Sequence, residues 1–216
     1  MTTPLQAVLF DADGTLIDTH GLILASMRRV LNGLHGMGLP DEQLLRGVGT
    51  PLRDQMLRFA QGDEQLADQL MREYRDDNDL RHDSVVAAFP DTREALELLR
   101  AAGLPMGVVT SKLHEQAARG LELSGIAGFF EVLVAPDDWP EHKPAPGPIV
   151  HACSLMGVDP HASMYVGDSP YDIQAGNAAG CTTVAALWGM FPREVLQADH
   201  PAMECESLMQ LARQIA

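Results

Sequence analysis

Short apolar runs alternate with amphipathic helical patterns along most of the chain. Five of the runs have the composition of buried strands, and they cover residues 5–10, 104–109, 131–135, 163–166 and 182–187. Helical patterns separate the later runs, and they begin at Thr92 or cover residues 115–123, 146–156 and 172–179. A glycine follows each of the last three patterns. This alternation predicts an α/β fold with a parallel sheet that is covered on both faces.

The first connection breaks the alternation. Residues 11–91 separate the first strand from the helix at Thr92, which is far more than a normal crossover needs. Further helical patterns cover residues 51–59 and 64–80, and Thr19 is a candidate cap for an earlier helix. The apolar face of that earlier helix is predicted to contain Ile23, Met27, Val30, Leu31 and Leu34.

The sequence therefore predicts two domains. Residues 1–15 and 85–216 form the α/β core, and residues 16–84 form a helical cap inserted after the first strand. Ligands of open α/β sheets bind at the carboxyl ends of the strands, where both links to the insert begin. The insert is thus placed to cover a binding site as a lid.

Composition indicates a globular protein of a reducing compartment. Hydrophobic residues make up 46% of the 216 residues, and no apolar run approaches the ~18 residues of a transmembrane helix. The three cysteines are too widely spaced to predict a disulfide framework or a zinc site. Residues 1–10 lack a basic start and a cleavage signature, so we interpret them as a first strand and not as a signal peptide. We expect a cytoplasmic protein.

The charge narrows the range of ligands. The formal net charge is −15, from 15 basic and 30 acidic side chains. Nucleic acids and anionic membranes are therefore poor candidate partners. A small anionic substrate stays possible if a metal ion or a well-placed lysine or arginine supplies local positive charge.

Two carboxylates leave the first predicted strand one residue apart. Residues 10–16 read FDADGTL, which places Asp11 and Asp13 directly after the strand and before a glycine that lets the chain turn. Isolated pairs with this spacing are common in solvated loops. Their position at a strand end favours a functional site over a solvated loop.

Three later strands also end in polar groups. Thr110 and Ser111 follow the second strand, Lys143 lies in the sequence KPAP, and Asp168 and Asp172 follow the strand that precedes the last predicted helix. Each group has an ordinary structural reading, as a helix cap or as a surface lysine. Each also has a chemical one: a hydroxyl can donate to a phosphoryl oxygen, a lysine can neutralise charge, and hard oxygen ligands suit Mg²⁺.

Taken in order, these four elements resemble the motifs of the haloacid dehalogenase-like (HAD) hydrolases. Residues 10–19, FDADGTLIDT, are similar to the first motif, and residues 167–180 with the KPAP element look most like the phosphoglycolate phosphatase-like branch. Ser111 stands where that branch usually has asparagine, and residues 89–91, FPD, stand where it usually has proline-glycine. The resemblance implies a Rossmann-like core with an inserted α-helical cap.

The resemblance also implies a mechanism. Asp11 would attack phosphorus and become an acyl phosphate. Asp13 would protonate the leaving alkoxide and then deprotonate the attacking water. Thr110, together with Ser111, would orient the phosphate.

A metal ion belongs to the same implied set. Mg²⁺ would lie between Asp11, the backbone carbonyl of Asp13 and Asp168, with Asp172 as a further ligand. Lys143 would share the task of balancing the carboxylates and the phosphoryl oxygens.

The cap is expected to select the leaving group. Residues 47–53, GVGTPLR, resemble the cap loop of the family, and Arg53 could pair with a substrate carboxylate or a second phosphate. A solvated arginine is an equally good interpretation. His20 and Lys112 lie near the predicted cleft in the sequence.

Several functions remain open. The expected activity is a Mg²⁺-dependent phosphatase acting on a small metabolite such as phosphoglycolate, a sugar phosphate or a nucleoside monophosphate. A phosphomutase or a pyrophosphatase would use the same acids, and a catalytically silent binding module could share the fold. A dehalogenase is disfavoured because that branch lacks an acid at Asp13, and a phosphonate hydrolase because residues 1–91 contain no lysine. The protein is expected to be a monomer or a homodimer.

Overall fold

Six parallel strands form the sheet of the computed structural model, which describes residues 4–216. The strands are β1 (Ala7–Phe10), β2 (Met106–Val109), β3 (Val132–Val134), β4 (Ser163–Gly167), β5 (Thr182–Ala186) and β6 (Met203–Cys205). Their order across the sheet is β3-β2-β1-β4-β5-β6, and every pairing is parallel. The predicted α/β, Rossmann-like sheet is confirmed.

Ten α-helices accompany the sheet in the described part of the chain. They are α1 (His20–Met27), α2 (Asp41–Leu44), α3 (Leu52–Phe59), α4 (Glu64–Val85), α5 (Thr92–Ala101), α6 (His114–Leu123), α7 (Gly147–Met156), α8 (Pro170–Ala179), α9 (Arg193–Gln197) and α10 (Leu208–Ile215). Helix α1 continues as a π-helix, Arg28–Leu34, and short 3₁₀ turns cover Ala127–Phe129 and Pro160–Ala162. None of these helices combines the length and apolar character that a membrane span requires.

The central strand β1 is buried on both faces because its side chains alternate between two apolar clusters. Val8 and Phe10 pack with residues of α5, α6 and α10, whereas Leu9 packs on the opposite face with residues of α7 and α8. A strand buried in this way needs a continuous apolar run, as the sequence shows. The order of the sheet reverses at β1, so its carboxyl end opens into a crevice.

The helices between β1 and α5 have an apolar cluster of their own. Its buried members come from α1 and its π-helical continuation, α2, the following loop, α3 and α4. Met190 and Phe191, from the loop after β5, pack against the edge of this cluster. A separate core supports the predicted helical insert, while the predicted domain boundaries at 15/16 and 84/85 stay a prediction.

Contacts between the insert and the core join α4 to α6. Asp83 forms an ion pair with Arg119, and Asp79 accepts a hydrogen bond of 3.4 Å from Gln116. The side chains of the Asp83–Arg119 pair are about half exposed, so water screens the attraction. These contacts join the insert to the core near the carboxyl end of the sheet, but they contribute little to the free energy of unfolding.

Parts of the structure differ from the sequence predictions. Strand β6 and helix α10 were not predicted, since β6 has only three residues and Cys205 is its one fully buried side chain. Leu34 is exposed because the π-helical turn moves it off the apolar face. Thr19 precedes α1, but its side chain makes no capping hydrogen bond. Of the predicted first strand, residues 1–3 lie outside the described residues.

Two helical glycines offer a matched test of this packing. A Cβ atom on Gly176 of α8 would lie 2.5 Å from Thr183 Cγ2 and 3.2 Å from Tyr165 Cδ1, whereas one on Gly21 of α1 would meet nothing within 4 Å. We expect Gly176→Ala to lower the free energy of unfolding by about 1–3 kcal/mol through overpacking. Gly21→Ala should raise it by up to about 1 kcal/mol through helix propensity.

Urea unfolding of both variants, followed by circular dichroism, measures the two changes. A stabilising Gly176→Ala substitution would show that α8 does not depend on this close approach to the sheet.

Candidate active site

Four sequence-predicted acids and one lysine meet at the carboxyl ends of β1 and β4. Asp11 follows β1, Asp168 follows β4, and Asp172 lies in the first turn of α8. One carboxylate oxygen from each of these three residues lies within 4.8 Å of the others. Asp13 and Lys143 border the same group. The predicted convergence of separate strand ends is therefore present in the structure.

Lys143 is the only basic side chain in contact with these three buried carboxylates among residues 4–216. Its ammonium lies 3.0 Å from Asp11 Oδ1 and 2.7 Å from Asp172 Oδ1, and its side chain is 1% exposed. Burial by itself lowers the pKa of Lys143, but the charges of Asp11 and Asp172 raise it above its usual value. The neighbouring carboxylates therefore favour the charged form of Lys143.

One lysine does not balance three carboxylates. Burial raises the pKa of Asp11 to about 7, although the charge of Lys143 partly opposes this rise. Burial, followed by the charges of Asp172 and Asp11, raises the pKa of Asp168 well above its usual value. The deprotonated cluster lacks positive charge, which is the environment that a bound cation stabilises.

Asp172 is held by four hydrogen bonds. Its Oδ1 accepts from Lys143 at 2.7 Å and from the Tyr165 hydroxyl at 3.1 Å, and its Oδ2 accepts from the Ser169 backbone N–H at 3.0 Å and hydroxyl at 2.5 Å. Ser169 and Asp172 form the capping box of α8. These bonds use the roughly four acceptor sites of a carboxylate. They favour Asp172 as the residue that positions Lys143, and direct metal ligation by Asp172 stays a prediction.

Asp168 keeps more of its acceptor capacity. The Met190 backbone N–H donates to Oδ2 at 2.7 Å, and the Thr15 hydroxyl reaches Oδ1 only at 3.4 Å. The loop carrying Met190 can come this close because residue 189 is glycine; a Cβ there would collide with the Asp168 side chain. Together with the neighbouring carboxylate of Asp11, Asp168 offers buried, hard oxygen atoms that fit Mg²⁺.

Asp13 is more exposed than the other acids and faces a cavity. Lys112 Nζ donates to Asp13 Oδ1 at 3.0 Å. Thr110 follows β2, lines the same cavity and accepts a 3.2 Å hydrogen bond from the backbone N–H of Lys112. The Asp11, Asp13 and Thr110 side chains therefore share one wall of a common space.

That space is a cavity of about 220 Å³ between the sheet and the helical insert. Tyr74, Arg75 and Asn78 of α4 contribute to its outer wall. Burial, and then the charges of Asp13 and Asp77, raise the pKa of Tyr74, which places this tyrosine near the carboxylate of Asp13. A ligand in the cavity would touch both the core acids and the insert.

The other residues that the sequence predicted for substrate binding differ in whether they line the cavity and in which groups they contact. Ser111 lines the cavity, but its hydroxyl donates to the Gly49 carbonyl at 2.6 Å and so joins the core to the cap loop. Arg53 also lines the cavity, yet its guanidinium lies 3.2 Å from Glu64 and 3.7 Å from Asp68. Lys112 lines the cavity and His20 does not. Substrate binding by Ser111 and Arg53 stays a prediction.

Sequence reasoning missed several contributors to the site. Tyr165 looked like an ordinary strand residue, but its hydroxyl donates to Asp172. The Met190 N–H is a backbone group that no side-chain motif reveals, although the nearby Trp188 donates to the Thr15 carbonyl at 2.9 Å and fixes the loop. Arg75 carried no motif. A count of the charged residues on the inner face of α4 could have identified it.

The two lysines of the chain provide a matched test of the buried charge cluster. We expect Lys143→Met to lower the free energy of unfolding by about 3–5 kcal/mol, because it leaves buried carboxylates without a counter-charge. Lys112→Met should cost no more than about 1 kcal/mol, because its pair with Asp13 borders the cavity.

Urea titrations in EDTA measure both losses. Loss of Lys143 raises the pKa of Asp11 above its wild-type value of about 7, so the Lys143→Met deficit should shrink as the pH falls toward 7 and the variant takes up a proton first. Equal losses for the two lysines would contradict this account of the cluster.

Comparison with known proteins agrees with the geometry of the site. A pyrophosphatase, PpaX, from Bacillus pumilus is 36% identical over 197 residues, which are 91% of this chain and 90% of the relative. A solved structure of a candidate haloacid dehalogenase-like hydrolase from Bacteroides fragilis superposes with a TM-score of 0.88 at 25% identity and covers 96% of this chain and 99% of its own. A candidate phosphoglycolate phosphatase from Lactobacillus plantarum gives a TM-score of 0.86 at 25% identity, with coverage of 97% and 99%.

The family model described as haloacid dehalogenase-like hydrolase matches residues 8–186, a range that begins in β1 and ends with β5. This range contains each of the acids and both of the lysines described above. The chain therefore belongs to the haloacid dehalogenase-like hydrolases.

Proposed function

We propose that this hydrolase is a Mg²⁺-dependent phosphatase that removes phosphate from a small metabolite through an aspartyl-phosphate intermediate on Asp11. The observation that carries the proposal is the buried cluster of Asp11, Asp168 and Asp172, which has Lys143 as its one counter-ion and faces a cavity of about 220 Å³. Such a site lacks positive charge, and a cation with a phosphoryl group would match it. The reduced cysteines and acidic composition support a cytoplasmic location.

In the first step, Asp11 attacks phosphorus. Lys143 and the Ala12 backbone N–H both hold Oδ1 of Asp11, at 3.0 Å and 2.8 Å, and this leaves Oδ2 free to act as the nucleophile. A bond forms between that oxygen and phosphorus, and the bond from phosphorus to the leaving-group oxygen breaks. The Thr110 hydroxyl lines the cavity at a position from which it can donate to a phosphoryl oxygen.

Asp13 acts first as the general acid and then as the general base. Its carboxyl group protonates the departing alkoxide and then takes a proton from the water that attacks the acyl phosphate. That second attack releases inorganic phosphate and restores the carboxylate of Asp11. Asp13 suits this exchange because it faces the cavity, while Lys143 stays charged and buried behind Asp11.

The carboxylates of Asp11 and Asp168 would hold Mg²⁺, and the ion would supply Lewis-acid stabilisation of the phosphoryl charge. Asp172 contributes by holding Lys143 and the first turn of α8 in place.

Two other reactions use the same machinery. The relative from Bacillus pumilus is a pyrophosphatase, and pyrophosphate is small enough for the same cavity. A mutase would have to retain its phosphorylated intermediate for return to the sugar. A silent binding module is disfavoured because Asp11, Asp13, Lys143 and Asp168 are all in place.

The first test is the release of inorganic phosphate from a panel of small phosphate esters and pyrophosphate, with Mg²⁺ and with EDTA. We expect release by the wild type that EDTA abolishes. Asp11→Asn should lower the rate of phosphate release by at least about 10³-fold because the nucleophile is lost. Asp13→Asn should lower the rate by about 10²–10⁴-fold.

Asp18→Asn is the matched control, since Asp18 lies in the same loop but is exposed. It should retain wild-type rates. A folded Asp11→Asn variant with unchanged phosphate release would overturn the assigned nucleophile.

Mg²⁺ and protons should compete for the acidic cluster. The pKa of Asp11 rises from 3.8 to about 7 on folding, so the metal-free folded state binds a proton that the unfolded chain has released. The stability of the metal-free protein should therefore fall as the pH rises between these two values. Added Mg²⁺ requires the deprotonated carboxylates, so its increase in Tm should be larger near pH 8 than near pH 5.

Differential scanning fluorimetry at both pH values checks this dependence. Asp168→Asn should abolish the Mg²⁺ response, and a response of equal size at both pH values would count against Asp11 as a ligand.

A further inference from the structure

We propose that Arg75 recognises the leaving group, and that this leaving group carries an anion, either a carboxylate or a second phosphoryl group. The proposal rests on the phosphatase function argued above and names its substrate class. It assigns specificity to a residue of α4, whereas the sequence motifs pointed to Arg53 in the preceding loop.

Three basic side chains line the cavity, and two of them already have acidic partners. Arg53 pairs with Glu64 and Asp68 of the insert, and Lys112 donates to Asp13 at 3.0 Å. The guanidinium of Arg75 makes neither an ion pair nor a hydrogen bond with any residue in the range 4–216.

Acidic side chains outnumber basic ones by 30 to 15, and several arginines of the insert pair with them: Arg28 pairs with Asp41, and both Arg29 and Arg81 pair with Asp77. The other arginines whose side chains form neither an ion pair nor a hydrogen bond among the described residues are exposed and do not line the cavity; they are Arg46, Arg72 and Arg213. Asp79 occupies the i+4 position from Arg75, where a helical ion pair would form, but it accepts from Gln116 of the core instead. Arg75 is left half-buried on the cavity wall with its donors unused.

The wall that carries Arg75 faces the proposed acid. Tyr74 precedes Arg75 and lines the same cavity as Asp13, whose charge raises the pKa of Tyr74. Asn78 lies on the same wall one turn further along α4. The leaving-group oxygen must lie next to Asp13 to receive its proton. The rest of the leaving group therefore extends toward α4, where Arg75 is the unpaired cation.

The chemistry of the guanidinium and the size of the cavity then define the ligand. A guanidinium presents parallel N–H donors that match the two oxygens of a carboxylate or a phosphoryl group. A cavity of about 220 Å³ is small for a ligand pocket, so a compact substrate fits it best. The structure thus favours a compact substrate with an anion at each end, and it disfavours a neutral sugar phosphate or a nucleotide.

Matched pairs of substrates test the proposal. Phosphoglycolate is compared with 2-hydroxyethyl phosphate, which replaces the carboxylate by an alcohol, and pyrophosphate is compared with methyl phosphate. Wild-type kcat/KM should be at least about 10-fold higher for the anionic member of one pair or both, as expected for charge-assisted hydrogen bonds. Dependence on the first pair identifies a carboxylate. Phosphate is a better leaving group than methoxide, so in the second pair only the part of the preference that Arg75→Met removes identifies a phosphoryl group.

Arg75→Met should lower kcat/KM for the preferred anionic substrate by about 10- to 100-fold and lower the ratio within its pair by the same factor. Arg75→Lys keeps the charge without the paired donors and should restore part of the ratio. Arg72→Met is the matched control, because Arg72 is exposed on the same helix and does not line the cavity; its ratio should equal that of the wild type. Circular dichroism of each variant confirms that α4 has folded.

The outcomes separate this proposal from the function on which it depends. No phosphate release from any substrate by folded wild type would refute the phosphatase function itself. Release at equal kcat/KM from anionic and neutral members of both pairs would overturn the role of Arg75 and leave the phosphatase function intact. A ratio that collapses in Arg53→Met but persists in Arg75→Met would assign the recognition to Arg53.

Discussion

The buried charge of Lys143, held between Asp11 and Asp172, is the constraint on which the rest of the site depends. An ammonium that is 1% exposed can stay charged only while carboxylates surround it, and those carboxylates can stay close together only while the ammonium is present. Strands β1 and β4 supply the acids from neighbouring positions in the sheet. The Tyr165 hydroxyl and the capping box of α8 then fix the orientation of Asp172. The result is a rigid anionic cluster in which three carboxylates face one ammonium.

The helical insert completes the site without joining this cluster. Its residues provide the outer wall of the cavity, and its own apolar core packs α4 against the other helices of the insert. Ser111 and Gly49 join the two parts at the cavity rim by a 2.6 Å hydrogen bond. Chemistry and selection are therefore divided: the core would hold phosphorus and the insert would hold whatever is attached to it. Such a division would let members of one family act on different leaving groups, and two relatives of this chain carry the names of a pyrophosphatase and a candidate phosphoglycolate phosphatase.

Much of the sheet and the convergence of the acids could be predicted, because apolar strands and polar strand ends are local features of a sequence. Parallel strands bring their carboxyl ends together, so Asp11, Thr110 and Asp168 had to meet once the strands were recognised. Strand β6 escaped prediction because three residues carry too little periodicity. The Met190 N–H escaped because backbone donors leave no mark in the sequence. The choice between Arg53 and Arg75 depends on which arginine finds an acidic partner, and that is decided by packing across helices.

The capping box of α8 links the integrity of a helix end to the electrostatic state of the site. Ser169 and Asp172 satisfy backbone and side-chain donors at the helix start, and the same Asp172 carboxylate anchors Lys143. Fraying of this first turn would release Asp172, then the ammonium, and with it the alignment of Asp11. Local unfolding and loss of competence thus become a single cooperative event. Partly opened molecules should be inert, so the other phosphate esters of a cell are not hydrolysed indiscriminately whenever the structure of the protein loosens.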